Sequence, residues 1–340
     1  MTTRRRLITF GRMEVIRTWE SLRLSGVVLT IGNFDGVHRG HQAILAAGRR
    51  HAERAGTRLV VMTFDPHPAA ILSPSVSPPM LSPFSERLRW LELAGADVVV
   101  VVESKPEFFA MSAGEFIQEV VLGRFAPVAM VEGASFGFGC KRQGDVHTLM
   151  AAGRRHGFEV EIVQPVRIAL GGHPDAVISS SLVRQLLHSG TVDQAALCLG
   201  RPYALFGTVG HGAQRGRALG FPTVNLQTAG LLVPAEGVYA GRACQVDAVA
   251  ARGGCGPGGS PLSSSVPAAI SIGYCPTFDG QELLIEAHLL DFHGDLYGRA
   301  LRIEFLDWLR GQESFKSKEA LCEQIRLDVE MTRRILADHG

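Results

Sequence analysis

Five short, mostly valine-rich runs in the first half of the chain constrain its fold more than any other feature of the sequence. They are Val27–Ile31, Leu59–Phe64, Val98–Val102, Val128–Val131 and Val160–Val163. Their character is mostly continuous and apolar, although Glu161 interrupts the last run, as is typical of parallel strands buried on both faces. Stretches with helical spacing separate them: His41–Ala55, Ser85–Ala94 and Ala113–Leu122. This alternation predicts a doubly wound α/β domain with a parallel sheet, whose ligands bind at the carboxyl ends of the strands.

The pattern changes after residue 190. Short alternating runs follow, broken by Gly, Pro and Asp clusters: Leu205–Val209, Gly237–Ala243, Ala268–Ile272, Leu283–Leu289 and Ala300–Phe305. Such spacing predicts a small antiparallel β-barrel. We expect a flexible loop at Ala251–Ser265, which is low in complexity, and a terminal amphipathic helix at Lys318–Leu336.

A chain of 340 residues exceeds the size at which one core usually keeps growing, so two domains are expected. We place the α/β domain at residues 1–188, a linker at 189–203 and the barrel with its terminal helix at 204–340.

Composition argues against several classes of partner. A formal charge of +1 gives no field that would attract nucleic acid or anionic lipid. No apolar run approaches the roughly 20 residues of a membrane span, and charges interrupt the basic start before a signal peptide's apolar region could form. The six cysteines show no zinc-type spacing. The sequence therefore predicts a cytoplasmic protein without nucleic-acid or membrane partners.

The stretch TIGNFDGVHRGHQ follows the first strand and opens a helix near Gly40. A helix start presents unpaired N–H groups and the positive end of its dipole, which together suit an anion. His38 and His41 add imidazole donors on the same side, so the constellation could hold a triphosphate and stabilise charge at its α-phosphorus. The alternative is a tight turn whose histidines only cap the helix.

The residues GNFDGVHRGH resemble the H-x-G-H signature of the nucleotidyltransferase superfamily. The longer form, with N-F-D-G before it, is similar to the adenylyltransferase domain of the bifunctional riboflavin kinase/FAD synthetase family. The resemblance implies that His38 and His41 act at the α-phosphate of ATP. It also implies that five residues of the turn bind the nucleotide: Gly32, Asn33, Phe34, Asp35 and Gly40.

Two further segments of the first domain extend the resemblance. Thr63–Pro68 resembles the F-x-P-H-P segment, which implies that Pro66 lies beside the flavin; without the family it would be a proline-fixed loop. Ile178–Arg184 resembles I-S-S-T-x-x-R, with Ser181 in place of threonine. This implies nucleotide contacts from Ser179, Ser180, Ser181 and Arg184. Simple capping of a helix is the alternative.

The segment Gly133–Asp145 departs from the family at two positions. Ser135 stands where the family has Asp or Asn, and Gly137 stands where it commonly has Arg. The resemblance implies that Ser135, Arg142 and Asp145 lie on the flavin side of the site. A shorter Ser135 would either weaken FMN binding or recruit a water molecule, and the sequence leaves both open.

In the second domain, Gly207–Leu226 resembles the riboflavin kinase motif G-R-x-L-G-F-P-T-A-N, with Val224 replacing alanine. Thr223 and Asn225 are two residues apart on an extended segment, so both project to one side, and their oxygens suit Mg²⁺. The resemblance implies that the preceding residues bind nucleotide: Gly212, Gly216, Arg217 and Gly220. A glycine-rich turn without a ligand is the alternative.

Later segments complete the second site. Ser271–Phe278 resembles I-G-x-N-P-T-F with Cys275 at the asparagine position, and Ile285–Phe292 resembles v-E-x-H-i-L-D-F. The resemblance implies that Glu286 is the general base; otherwise it is a glutamate on the polar face of an edge strand. Arg310 is implied on the flavin side, where Gln312 replaces the family's glutamate.

The resemblance implies a bifunctional enzyme that uses ATP with Mg²⁺ to phosphorylate riboflavin to FMN and then to adenylylate FMN to FAD, releasing pyrophosphate. The rival within enzymes is a riboflavin kinase whose adenylyltransferase domain is impaired by the changes at Ser135 and Gly137. A sensor without turnover would require a missing catalytic residue. None of the five is missing: His38, His41, Thr223, Asn225 and Glu286.

Overall fold

The computed structural model describes residues 7–211, 216, 219–246, 265–277 and 280–338, with side chains omitted at 7–10, 275–277 and 280–281. The chain forms two compact units. The first comprises the chain up to Pro78, Glu86–Ile168 and Asp175–Ile178; the second comprises Pro79–Ser85, Ala169–Pro174 and Ser179 onward. The predicted loop Ala251–Ser265 lies outside the described residues except for Ser265.

The first unit is built on a seven-stranded sheet in the order β1-β2-β5-β4-β3-β6-β9. Its strands are β1 (Leu7–Phe10), β2 (Met13–Ile16), β3 (Val28–Ile31), β4 (Leu59–Phe64), β5 (Val98–Val102), β6 (Ala129–Gly133) and β9 (Glu159–Val163). All neighbours pair in parallel except β1 and β2. The predicted parallel α/β sheet is therefore confirmed. The chain leaves β3 toward β4 and β5 and later returns to β6 on the other side, so the strand order switches direction between β3 and β6.

Helices connect these strands. They are α1 (Arg39–Ala55), α2 (Pro68–Leu72), α3 (Phe84–Leu93), α4 (Pro106–Ala110), α5 (Ala113–Glu115) and α6 (Val146–His156). Apolar spacing predicted three of them, α1, α3 and the segment that begins with α5; α2, α4 and α6 were not predicted. The predicted helix at Ala113–Leu122 is α5 continued by a π-helical segment, Phe116–Phe125, whose apolar residues join the core. A capping box at Ser112 and Glu115 fixes its start.

Three short strand pairs escape the sequence pattern. They are the hairpin β1–β2, the two-residue strands β7 (Gly137–Phe138) and β8 (Gly144–Asp145), and the pair β10 (Arg167–Leu170) and β11 (His173–Val177). No α-helix lies between the two strands of any of these pairs, so they fall outside the strand–helix alternation that predicted the parallel sheet.

The second unit contains the predicted antiparallel barrel, which closes in the order β12-β13-β16-β15-β14-β17. Its strands are β12 (Tyr203–Gly210), β13 (Thr223–Gln227), β14 (Gly237–Gln245), β15 (Val266–Thr277), β16 (Gly280–Leu289) and β17 (Ala300–Arg310). Helices α7 (Ser180–His188) and α8 (Val192–Leu199) and the predicted terminal helix α9 (Lys318–Asp338) accompany it among the described residues.

Alternation along the barrel strands decides which side chains face outward. On β16, Ile285, Ala287 and Leu289 are buried, whereas Glu286 and His288 between them are partly exposed. On β15, Ile270 and Ile272 are likewise buried. Glu286 therefore lies on the outer face of the barrel, accessible to a ligand.

Helix α9 is attached to the barrel by a salt bridge. The Arg310 Nε and Nη2 atoms donate to the Asp328 carboxylate at 2.8 to 3.2 Å. Gln324 Nε2 donates to the same carboxylate at 3.0 Å. The side chains of Arg310 and Asp328 are only 15% and 8% exposed, so the pair is largely shielded from water.

Replacing Asp328 by asparagine should therefore destabilise the second unit by about 3 kcal/mol, because it leaves a buried guanidinium without its counter-charge. Urea unfolding of the variant measures the loss. Asp291→Asn is the matched control, since Asp291 pairs with Arg333 of the same helix in two hydrogen bonds but is 71% exposed. That control should change little. Equal losses in the two variants would contradict the role assigned to Asp328.

Within the described ranges, no helix is both long enough and apolar enough to cross a membrane.

Candidate active sites

The turn between β3 and α1 brings the two predicted histidines together. His38 is the N-cap of α1, and its Nδ1 atom accepts the His41 backbone N–H at 3.3 Å. The two imidazole rings stack with centroids 3.7 Å apart and planes 17° apart. His38 therefore does cap the helix, as the alternative interpretation of the two histidines expected. The same contact fixes both rings at the positive end of a 17-residue helix.

His41 is held as a neutral imidazole. Burial lowers its pKa well below the ordinary value, and the positive charges of His38 and Arg87 lower it further. Its Nδ1 atom is buried and has no hydrogen-bond partner among the described residues. A neutral imidazole has one N–H and one acceptor nitrogen, so His41 can donate a single hydrogen bond to a phosphate oxygen near neutral pH.

The backbone of the turn is strained and held by burial. Phe34 and Val37 have positive φ angles of 50° and 38°, which are unusual for residues with a Cβ. Both are buried, with 2% and 1% of their surface exposed. Packing thus stabilises a conformation that the isolated sequence would avoid, as is common at binding sites.

Hydrogen bonds tie the same turn to β4. The Gly32 N–H donates to Met62 O at 3.0 Å, and Thr63 Oγ1 donates to Asn33 O at 3.2 Å. The Asn33 side-chain nitrogen lies 3.1 Å from His67 Nε2. The TFDPHP segment and the GNFDG turn are therefore directly linked, and the peptide bond between Asp65 and Pro66 is cis.

Two charged residues near this turn were missed by the sequence analysis. Arg87 on α3 is 2% exposed, donates to Phe64 O at 3.0 Å and interacts electrostatically with Asp35, which is 1% exposed. Glu132 on β6 is 2% exposed, and its Oε1 accepts the Ile31 N–H at 2.8 Å. Neither residue belongs to a recognisable motif, and their burial is set by the tertiary fold.

Burial raises the pKa of Glu132 well above its ordinary value, against the smaller opposing effect of the Ile31 N–H. The folded protein therefore binds this proton more tightly than the unfolded chain, whose glutamate pKa is about 4.3. The associated stabilisation is complete below that unfolded pKa and is lost as pH rises through the folded one.

Glu132→Gln, which cannot ionise, should consequently make the stability of the first unit less sensitive to rising pH. Urea unfolding at pH about 5 and about 8 compares the variant with wild type. The same pH dependence in both proteins would show that Glu132 does not carry a raised pKa.

The predicted flavin-side residues of the first unit follow strands at the carboxyl edge of the sheet. Pro66 follows β4 and Ser135 follows β6. Arg142 Nη2 donates to Ser135 O at 2.6 Å. Asp145 is the N-cap of α6; its hydrogen bonds from Thr148 lower its pKa.

The two departures from the family pattern are structurally connected through Arg142. A Cβ built at Gly137 would lie 2.8 Å from Arg142 Nε, so a side chain at position 137 requires Arg142 to move. The guanidinium of Arg142 thus lies against position 137, where the family commonly has an arginine, and it also binds the backbone of Ser135.

The serine motif begins beside the first turn. A Cβ built at Gly40 would lie 3.4 Å from Ile178 O and 3.0 Å from the His38 ring, which is why the smallest residue suits position 40. Ser179 caps α7, its Oγ accepting the Leu182 N–H at 3.1 Å. Ser180 and Ser181 form the first turn of α7, and Arg184 Nε donates to Pro79 O at 3.0 Å. Capping is therefore realised here too.

In the second unit, β13 and β16 bring together the residues predicted for the kinase site. Thr223 Oγ1 lies 3.4 Å from Glu286 Oε1, and Asn225 is directly opposite Glu286 in the strand register. Thr223 is opposite His288, whose Nδ1 lies 2.8 Å from Pro222 O. Three oxygen-bearing side chains therefore share the outer face of two adjacent strands.

The glycine-rich turn before β13 folds back onto this face. The Leu219 and Phe221 N–H groups donate to Gly216 O at 3.1 and 2.9 Å. A Cβ at Gly216 would lie 2.4 Å from Phe221 O and 3.3 Å from Thr223 Oγ1, so only glycine fits. Gly220 has a φ of 85°, which also favours glycine. The other two predicted residues, Gly212 and Arg217, lie outside the described residues.

Arg310 and Gln312 both bind within the chain. Besides Asp328, Arg310 donates to Gly311 O at 3.0 Å and lies 5.7 Å from the Phe315 ring. Gln312 Nε2 donates to Ser271 Oγ at 2.9 Å and to Ile272 O at 2.8 Å, and Ser271 is opposite Glu286 in the register. Gln312 thus contacts Ser271, the register partner of the predicted base Glu286.

Each half of the chain matches one known family: FAD synthetase over residues 21–181 and riboflavin kinase over residues 199–336. The chain is 36% identical over 325 residues to the bifunctional riboflavin kinase/FMN adenylyltransferase of Escherichia coli K12, covering 95% of this chain and 97% of the relative. The protein of the same name from Bacillus subtilis is 33% identical, with coverage of 88% and 90%. The chain therefore belongs to the bifunctional riboflavin kinase/FMN adenylyltransferase family.

A crystal structure described as a macrolide-efflux protein from Streptococcus pneumoniae shares the fold. It has a TM-score of 0.80 and 28% sequence identity, and the match covers 95% of this chain and 99% of that one.

Proposed function

We propose that the chain converts riboflavin to FMN at the β13–β16 face and FMN to FAD at the β3–α1 turn, using ATP in both steps. The pairing of Thr223 with Glu286, opposite Asn225, is the observation that carries the proposal, because it assembles a base and two cation-compatible oxygens from distant parts of the sequence. We assign residues 1–188 to the adenylyltransferase domain, 189–203 to the linker and 204–340 to the kinase domain. Use of ATP supports a cytoplasmic location.

In the kinase step, Glu286 accepts the proton of the ribityl 5′-hydroxyl as that oxygen attacks the γ-phosphorus of ATP. The new bond joins the flavin oxygen to phosphorus, the bond to the β,γ-bridging oxygen breaks, and ADP leaves. Thr223 Oγ1, only 3.4 Å from Glu286 Oε1, keeps the carboxylate directed along the face. The Gly216 turn, together with Gly212, Arg217 and Gly220, would cover the phosphates.

The donor chemistry of this face fits Mg²⁺. The Thr223 hydroxyl and the Asn225 amide supply hard oxygen ligands, which Mg²⁺ prefers and completes with phosphate and water. The described residues hold no cluster of three or more His, Cys, Asp or Glu side chains that would form an all-protein metal cage. When bound, Mg²⁺ would neutralise charge on the phosphates.

In the adenylyl transfer step, a phosphate oxygen of FMN attacks the α-phosphorus of ATP and pyrophosphate leaves. Charge grows on the α-phosphate oxygens as the new bond forms, and stacked His38 and His41 at the α1 N-terminus are placed to stabilise it. We assign nucleotide binding to the turn residues Gly32, Asn33, Phe34, Asp35 and Gly40 of the first unit, and the resemblance to the family adds Ser179, which caps α7, with Ser180, Ser181 and Arg184 of that helix. Phe34 and Asp35 are buried, so their contribution comes through the turn's backbone.

The flavin is assigned to Pro66, Ser135, Arg142 and Asp145 in the first unit and to the Arg310 region in the second. The contacts of Arg310 with Asp328 give it a positioning role there, since its guanidinium is already paired. The second candidate function, a kinase with an impaired adenylyltransferase, is favoured by one observation: the Arg142 guanidinium is already hydrogen-bonded to Ser135 O within the chain.

Incubation of the purified protein with riboflavin, ATP and Mg²⁺, with the flavins separated over time, tests the proposal. Transient FMN followed by FAD is the expected result. FMN that accumulates without FAD would support the impaired enzyme, and unchanged riboflavin would contradict both functions.

A further inference from the structure

Glu132 occupies a particular place in the sheet of the first unit. Strands β3 and β6 pair at Val28 with Ala129 and at Leu29 with Met130, and the ladder ends there. On the other side, β3 stays paired with β4 as far as Ile31 with Met62. The sheet therefore opens between β3 and β6, at the point where the strand order switches direction and ligands of such folds bind.

The opening leaves one backbone group in need of a partner. In a parallel ladder, successive N–H groups of a strand point alternately to the two neighbouring strands. The Gly32 N–H donates to Met62 O of β4, so the Ile31 N–H points toward β6. It finds Glu132 Oε1 there, at 2.8 Å, where a β6 carbonyl would otherwise accept. The side chain of Glu132 thus replaces a rung of the ladder.

The hydrogen bond is buried and reaches the candidate site through one residue. Glu132 is 2% exposed and Ile31 is 5% exposed, so water does not compete for this N–H. Ile31 is the last residue of β3, and Gly32 and Asn33 follow it directly. The neighbouring Gly133 lies under α1, since a Cβ at that position would be 3.2 Å from Ile44 Cδ1. Residues 132 and 133 therefore support both the strand before the turn and the helix after it.

We propose that Glu132 is a positioning residue for adenylyl transfer, which keeps the end of β3 apart from β6 and so holds the β3–α1 turn in its nucleotide-binding geometry. The proposal rests on the function assigned to that turn above. What matters is an acceptor oxygen at the right reach, because the contact is made by Oε1 alone. Burial raises the pKa of the carboxyl, which is consistent with a neutral acid that accepts this N–H as an amide oxygen would.

Three variants separate this role from a merely structural one. Glu132→Gln keeps the side-chain length and the acceptor oxygen. Glu132→Leu keeps the approximate volume but has no acceptor. Glu132→Asp keeps an acceptor oxygen, but its side chain is too short to reach the Ile31 N–H. Each is assayed for kcat and KM in the conversion of FMN to FAD. The conversion of riboflavin to FMN, measured on the same preparation, reports on the second unit, and urea unfolding reports on the stability of the first.

Glu132→Gln should retain kcat/KM for FAD formation within about twofold, whereas Leu and Asp should each lose on the order of tenfold or more, since small misplacements of a catalytic turn are costly. Riboflavin phosphorylation should stay unchanged in all three. If the Leu variant does not fold, the Asp and Gln pair makes the same comparison.

Wild-type FAD formation in a folded Leu or Asp variant, or a Gln variant as impaired as Leu, would overturn the proposal. Failure of the site assignment gives a different result: FAD formation would then survive changes to His38 and His41, whatever the Glu132 variants do.

Discussion

Glu286→Gln should lower the rate of FMN formation from riboflavin by about 10²–10⁴-fold, the usual effect of losing a general base. The amide has nearly the same shape, so it keeps the contact at Thr223 Oγ1 but cannot accept the hydroxyl proton. FMN supplied directly should still be converted to FAD at the wild-type rate, because the β3–α1 turn is unchanged. Quantitative separation of riboflavin, FMN and FAD measures both rates.

Glu282→Gln is the matched control for this prediction. Glu282 lies on the same strand as Glu286, four residues earlier, and is exposed. By the alternation along β16, Glu282 lies on the same outer face of the barrel as Glu286. Its register partner, however, is Cys275 and not Ser271. FMN formation should be unaffected by this change, and a loss as large as that of Glu286→Gln would refute a specific role for Glu286.

Replacing His38 and His41 together by asparagine should have the opposite selectivity. FAD formation from FMN should fall by about 10³-fold or more, since each donor to a developing oxyanion is worth about 10²–10³-fold. Riboflavin phosphorylation should persist. The loss in the double variant should be smaller than the product of the two single-variant losses. The two residues are coupled, because their rings stack and His38 Nδ1 accepts the His41 backbone N–H.

His156→Asn provides the control for the histidine pair. His156 is exposed at the last turn of α6 and is hydrogen-bonded only loosely, with its Nε2 atom 3.5 Å from Gln118. Its replacement should leave both activities intact. A folded double variant of His38 and His41 that still made FAD normally would refute the assignment of the first site.

Much of the fold follows from sequence because its signals are local. Runs such as Val98–Val102 are apolar throughout and are buried throughout, as parallel central strands require. Gly56 and Gly157, in the left-handed conformation, end helices α1 and α6. The N-terminal hairpin β1–β2 could not be recognised in the same way, because no helix separates its two strands and it falls outside the strand–helix alternation.

The terminal helix shows a different limit of sequence reasoning. Its apolar positions Leu321, Ile325, Val329 and Ile335 are only partly buried, whereas the polar residues Asp328 and Thr332 are 6% and 0% exposed. The Thr332 hydroxyl donates to Asp328 O within the helix at 2.8 Å. A pattern of apolar spacing locates such a helix but does not reveal that a salt bridge attaches it.

The residues of the candidate sites also fall into a predictable and an unpredictable group. Compact motifs made it possible to predict the Gly32–His41 turn and the set formed by Thr223, Asn225 and Glu286. Arg87 and Glu132 were not, because an arginine in SERLRWLEL and a glutamate in AMVEG carry no local mark of burial. Their neighbours come from other strands, so only the tertiary structure places them beside the turn.

The two departures at Ser135 and Gly137 acquire a physical interpretation from the structure. Arg142 fills the space that a side chain at position 137 would need and binds the Ser135 carbonyl. An arginine guanidinium is therefore present near position 137 although the residue itself is glycine.

Mixing the two inactive variants tests the central claim, two separable sites acting in sequence, most directly. Glu286→Gln alone should leave riboflavin unchanged, and the His38 and His41 double variant alone should stop at FMN. Combined in one tube with riboflavin, ATP and Mg²⁺, they should form FAD, since FMN released by one variant is the substrate of the other. A mixture of folded variants that forms no FAD, or either variant losing both steps, would contradict the account.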